Sequence, residues 1–156
     1  MRIWRILRLG AIIAVCLLVV AQFFGPAKSN PAVDPVLTLQ TQAQVSPQVA
    51  SILDRSCGDC HSSNTRWPWY SNVAPVSWFV INHVNEGRRI INLSEWGKYD
   101  ARTQSGKLNQ ICREVKSGGM PLSSYTPLHP GTKLSSEEVK ILCDWTNAER
   151  ASIAAR

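Results

Sequence analysis

Cys57-Gly58-Asp59-Cys60-His61 places two thiols three positions apart and an imidazole directly after the second. Three positions are close to one helical turn, so the two thiols face the same way. Each thiol can then add across one of two neighbouring vinyl groups on a porphyrin edge, while the imidazole swings beneath the iron. C-x-x-C-H is accordingly the attachment signal for one haem c, with Cys57 and Cys60 as thioether residues and His61 as proximal ligand. Two other chemistries use paired cysteines. A structural zinc site would need Cys112 and Cys143 beside Cys57 and Cys60, yet the later pair stands 31 positions apart on different predicted helices, whereas zinc ribbons present two close pairs. A thioredoxin-like pair requires a βαβ setting, and no segment alternates like a strand.

A sixth iron ligand has three candidates. Met120 lies in Gly118-Gly119-Met120-Pro121, 59 positions beyond His61. The glycines permit close backbone approach and the proline stiffens the loop. Met/His ligation is the pattern of electron-transfer cytochromes, so Met120 leads, against the alternative of a Met filling a core gap. His83, on an apolar helix face, is the runner-up. His129, beside Pro130 in a loop, comes last. Trp67, Trp69, Tyr70, Trp78 and Trp96 offer indole or phenol groups that could cover a porphyrin edge or bond its propionates; ordinary core packing accounts for them equally well. Arg88 and Arg89 are candidates to neutralise propionates, with a solvated pair as the competing account. Cys112 and Cys143 lie on apolar stripes and form either a disulfide or two buried thiols.

The elements that would position these residues read as helices. Ser46 and Pro47 open one that carries Val49, Ile52 and Leu53 into the cysteine pair. Pro75 opens another, with Val76, Phe79, Val80 and Val84 on one stripe, His83 on the same face and Gly87 as its stop. A short helix is predicted from Ser94 to Ala101. A further one covers roughly 103–116, with Leu108, Ile111, Cys112 and Val115 aligned and Ser117-Gly118-Gly119 closing it. Ser135 and Glu138 form a capping box for the last helix, lined by Val139, Leu142, Cys143 and Thr146. The predicted fold is a small all-α domain with long functional loops.

Composition sets the chain's class and address. Residues 1–8 hold three arginines and no acid, and residues 9–24 are apolar apart from Gln22, the layout of an export leader. That apolar run, about 24 Å as helix, predicts a retained anchor, with a cleaved signal ending near Ser29 as the alternative. Either way the positive flank stays inside and the domain lies on the periplasmic side of a bacterial inner membrane. The formal charge of +6 includes Arg2, Arg5, Arg8 and Lys28, which leaves 13 basic against 11 acidic residues beyond them. Those are interspersed, so nucleic acid is not an expected partner. The predicted organisation is a signal or anchor segment (1–29), a poorly ordered linker (30–45), the haem domain (46–150) and a short tail (151–156).

The run Cys57 to Tyr70 (CGDCHSSNTRWPWY), followed by Ala74-Pro75-Val76-Ser77-Trp78, His83-Val84, Gly87-Arg88, Ser94-Glu95-Trp96 and Gly119-Met120-Pro121-Leu122, resembles the bacterial haem-binding domain family of small c-type cytochromes. The resemblance extends from about 46 to 147. It implies a monohaem, cytochrome-c-like helical domain attached through Cys57 and Cys60, with His61 proximal and Met120 distal by position, after one N-terminal hydrophobic segment.

The leading expectation is single-electron transfer to a redox partner protein, without enzymatic acid–base machinery. The alternative is a gas sensor or peroxide-reactive haem with a displaceable sixth ligand, for which His83 with Arg88 or Arg89 would be the distal pair.

Overall fold

The computed structural model describes residues 2–155. The chain is all-helical, and no strand forms among the described residues. α1 spans Arg2–Ala21 and buries none of its residues against the rest of the protein. It takes in the three arginines that the sequence reading left outside the apolar run. At 1.5 Å per residue it is about 30 Å long, enough to cross the hydrocarbon core of a bilayer.

Residues 30–45 depart from the expected linker. Pro35–Leu37 form a 3-10 turn whose N-cap, Asp34, accepts from the Val36 amide at 3.0 Å, and α2 covers Leu39–Gln42. Leu39 is fully buried in the core. The Gln44 carbonyl accepts the Trp145 indole N–H at 2.9 Å. The segment is held by a few anchoring contacts rather than by a periodic face, which is why no period announced it.

α3 (Pro47–Ser56) begins where Ser46 and Pro47 predict, with Ser46 Oγ accepting from the Val49 amide at 3.3 Å. Cys57 follows it, then the single turn α4 (Gly58–His61). α5 (Val76–Ile90) differs from expectation in two ways. It continues through Gly87, the anticipated stop. Its buried positions are Ser77, Ile81, Val84 and Gly87, whereas Val76 and Phe79 of the predicted stripe are 47% and 55% exposed. Gly87 is where the helix comes up against the cysteine turn, while Val76 and Phe79 stay on the open side.

The predicted helix from Ser94 is a kinked 3-10 stretch, Leu93–Lys98, which buries Trp96. α6 (Ala101–Ser117) starts at Asp100, whose carboxylate accepts from the Thr103 amide at 2.7 Å, and stops at Gly118 in the left-handed conformation. α7 (Ser136–Ala154) carries the predicted capping box. It runs through most of the expected tail, and Ile153 packs against the core.

α6 and α7 make the most extensive helix–helix contact in the molecule. The Cys112–Cys143 disulfide joins them, with Cα atoms 4.8 Å apart. Closing a loop of this length restricts the unfolded chain by about 3 to 4 kcal/mol. Cys112→Ser with Cys143→Ser is expected to lower the unfolding free energy by about 3 kcal/mol, read as an earlier urea midpoint with a steeper slope, because the unbridged unfolded chain exposes more surface. An unchanged midpoint would remove the bridge from the account of stability.

Candidate haem site

α3 delivers Cys57 and α4 delivers Cys60 and His61 to one side of a crevice whose other walls are α5, α6 and the loop after Gly118. Two cavities meet there. One, of about 390 Å³, is lined by Cys57, Cys60, His61, Gly87, Met120 and Tyr125 among others. The second, of about 240 Å³, has Cys57, His61 and Met120 in its wall together with Leu53, Ile111 and Val115. Residues 63 positions apart in sequence thus share both cavities, since Cys57 and Met120 border each.

His61 is fixed through one ring nitrogen. Its Nδ1 lies 3.0 Å from the Gly87 carbonyl and 3.1 Å from the Ile91 carbonyl. Carbonyls only accept, so Nδ1 carries the proton and Nε2 holds the lone pair of the neutral ring. Burial lowers the His61 pKa and favours that neutral form. A backbone carbonyl on the non-ligating nitrogen is the usual way a metal-binding imidazole is oriented.

Gly87 explains why α5 can come so near. A Cβ at this position would lie 2.6 Å from the Cys60 carbonyl oxygen. Gly87→Ala should therefore push α5 off α4 and disturb both acceptors of His61. The expected cost is about 1 to 3 kcal/mol of stability, read by urea unfolding; a variant as stable as the parent would show that the contact is soft.

Both thiols are held protonated. Burial raises the Cys57 thiol to about 12, with Cys60 adding to the effect. Burial likewise raises Cys60 to about 11, helped by Asp59. Cys112 and Cys143 are bridged to each other, so the four-cysteine zinc arrangement is not formed. Among the described residues no group of three or more His, Cys, Asp or Glu could hold a metal ion.

Asp59, the second variable position of the motif, ties the crevice together. It is buried and accepts from the Arg66 amide at 3.1 Å, from Arg66 Nε at 2.9 Å and from the Tyr125 hydroxyl at 2.7 Å. The last bond clamps the loop that carries Met120 to the turn that carries His61. Burial, with that hydrogen bond next, raises the Tyr125 pKa and keeps the phenol a donor. Sequence reading overlooked Tyr125; its signal was an aromatic five residues after Met120 in the same loop.

The other predicted residues fall in different places. Trp69 and Tyr70 line a neighbouring apolar slot of about 370 Å³ that reaches Cys60 and shares His83 and Tyr125 with the crevice. Trp67 stands apart, its indole N–H donating to Asn30 Oδ1 at 3.1 Å. Arg88 also points elsewhere. It donates to the Ser62 and Ser29 carbonyls, Asn30 Oδ1 and Thr65 Oγ1 at 2.7 to 2.8 Å, so it laces loops together rather than facing the crevice. Arg89 pairs with Glu86. Trp96 is core, and Trp78 bonds the Phe24 carbonyl. His83 borders the crevice but bonds the Phe79 carbonyl through Nδ1 at 3.0 Å and packs on the Phe79 ring at 4.0 Å. His129 stacks on Tyr125 at 3.8 Å and has both nitrogens within bonding distance of tyrosine oxygens; it lines only the slot.

The residues present fit a haem. The cavity walls beside His61 are largely apolar, the two thiols are positioned and protonated, and one imidazole nitrogen is left as an electron-pair donor. Buried Ser56 Oγ has no protein partner and borders both cavities, a place for a polar edge of a bound group. Fold and site together define a helical domain built around a tetrapyrrole crevice. The chain belongs to the haem-binding domain family, whose model matches residues 16–148. Neither the curated proteins nor the solved structures compared with it contain a match. The matched span takes in 30–45, consistent with the packing of Leu39 into the core.

Proposed function

We propose that this domain holds one haem c through thioethers to Cys57 and Cys60, with His61 and Met120 as axial ligands, and carries single electrons outside the cytoplasm. When bound, the group supplies one-electron ferric–ferrous chemistry. The observation that carries this reading is the commitment of His61 Nδ1 to two backbone carbonyls, which leaves Nε2 as donor in a crevice shared with Cys57, Cys60 and Met120. The chain's own part is to orient the imidazole and hold the Met120 loop through Asp59 and Tyr125. It also covers the site with apolar side chains. Met/His ligation raises the reduction potential, which suits a carrier rather than an enzyme, and the partner is a redox protein.

α1 is the anchor in this reading, with Arg2, Arg5 and Arg8 on the cytoplasmic side and the domain on the periplasmic side. A haem with a displaceable sixth ligand is the second reading, favoured only by His83 at the crevice wall; Arg88 and Arg89 have partners elsewhere. Optical spectra of the full chain, matured by c-type machinery and purified in detergent, separate the two. Low-spin ferric and ferrous spectra unchanged by carbon monoxide support the carrier; a high-spin spectrum, or ready carbon monoxide binding, supports the second reading.

A further inference from the structure

α1 does not end in a free tether. The Ala74 amide donates to Gln22 Oε1 at 2.9 Å and Gln22 Nε2 donates back to the Ala74 carbonyl at 3.3 Å. The Trp78 indole N–H donates to the Phe24 carbonyl, and Lys28 donates to Asn72 Oδ1. Gly25, at φ 151°, lies so close to Trp78 that a Cβ there would come within 2.5 Å of the indole nitrogen. Arg88 and Trp67 then hold Ser29 and Asn30. The chain leaving α1 is pinned along the edge formed by residues 71–78.

Large apolar side chains at this junction, and in the segment that follows Pro68, are exposed. Trp69 is 78% exposed and Phe23 82%, with Phe24, Val73 and Val76 also exposed. The sequence has no Asp or Glu from 1 to 33 or from 60 to 85, while Lys28 and Arg66 lie in those spans. Grouped exposed apolar residues mark an interaction surface, and Trp with basic residues beside a spanning helix is the composition of a membrane interface. The patch is continuous with the helix that crosses the bilayer, which identifies what covers it.

We propose that this face, with Val73 beside Phe23 and Phe24, rests in the outer headgroup region of the bilayer that α1 spans. The inference rests on the anchored reading above. It replaces a domain swinging on a linker with one held in a single orientation.

The test uses the full chain with Cys16→Ser, reconstituted in phosphatidylcholine–phosphatidylglycerol vesicles, and a membrane-impermeant maleimide. Val73→Cys is expected to label at least about tenfold more slowly than Lys140→Cys on exposed α7, because burial of the patch holds the lifted state to a small population. Adding Phe23→Ser with Phe24→Ser should narrow that gap by removing the apolar area that holds the face down. Equal rates at the two positions in the pinned protein would overturn the proposal. So would protection found only in native membranes, which would make the cover a protein. A chain recovered without its leader in the soluble fraction would instead sink the anchored reading, and label on Cys57 or Cys60, located by peptide mass, would sink the haem attachment; neither result imitates the other.

Discussion

Met120→Ala is expected to turn a domain that ignores carbon monoxide into one that binds it stoichiometrically when ferrous. Met120 borders both cavities that His61 and Cys57 border. Its loop is fixed on each side, by the Met120 amide on the Glu114 carbonyl at 3.2 Å and by the Tyr125 hydroxyl on Asp59. Truncation therefore removes the thioether without releasing the chain around it, and the position opened stays open. His83 is the one other candidate ligand in that wall; its Nδ1 bonds the Phe79 carbonyl, which leaves its Nε2 able to ligate, so His83→Ala is the control for the assignment. Alongside carbon monoxide binding, the methionine–iron charge-transfer band should vanish and the potential should fall, since Met is the ligand that raises it. If His83→Ala produces these changes and Met120→Ala does not, the ligand assignment is reversed.

Cys57→Ser together with Cys60→Ser should abolish haem retention on a denaturing gel, while each single variant keeps a reduced amount through its remaining thioether. Serine preserves shape but cannot add to a vinyl group under maturation conditions. Burial in the folded chain raises both thiols, to about 12 and about 11. Without the cofactor, Leu53, Ile111 and Val115 face a void. The double variant should accordingly lose more than about 2 kcal/mol of stability, as core cavities do, and be read as a lower urea midpoint. Full haem retention by the double variant would show that the cysteines serve another purpose.

Much of the domain was legible because its signals are local. The C-x-x-C-H spacing, the Ser46-Pro47 start, the Ser135–Glu138 box and the Gly118 stop each depend on neighbours within a few residues, and the all-α class followed from them. Other features depend on partners distant in sequence. Gly87 reads as a stop until the Cys60 carbonyl is placed against it, and only then as a close-approach site inside α5. The Val76–Phe79 stripe announced an apolar face but not what it meets; Val76 and Phe79 turned outward, to the slot. Leu39 enters the core from a segment with no period. Arg88 and Trp67 sit among haem-motif residues in sequence, yet bond residues 29–30, more than thirty positions earlier. The Asp59–Tyr125 clamp spans 66 positions, and no spacing rule reaches that far. Cys112 and Cys143 were visible as a pair of stripes, but their bridge required the packing of α6 on α7.

The central claim, that Cys57 and Cys60 carry the cofactor covalently, is tested most directly by the intact mass of the full chain after c-type maturation, measured under denaturing, non-reducing conditions with iodoacetamide present. The account predicts polypeptide plus one haem, with neither Cys57 nor Cys60 alkylated and the Cys112–Cys143 bridge intact. Polypeptide mass alone, with both motif cysteines alkylated, would contradict it.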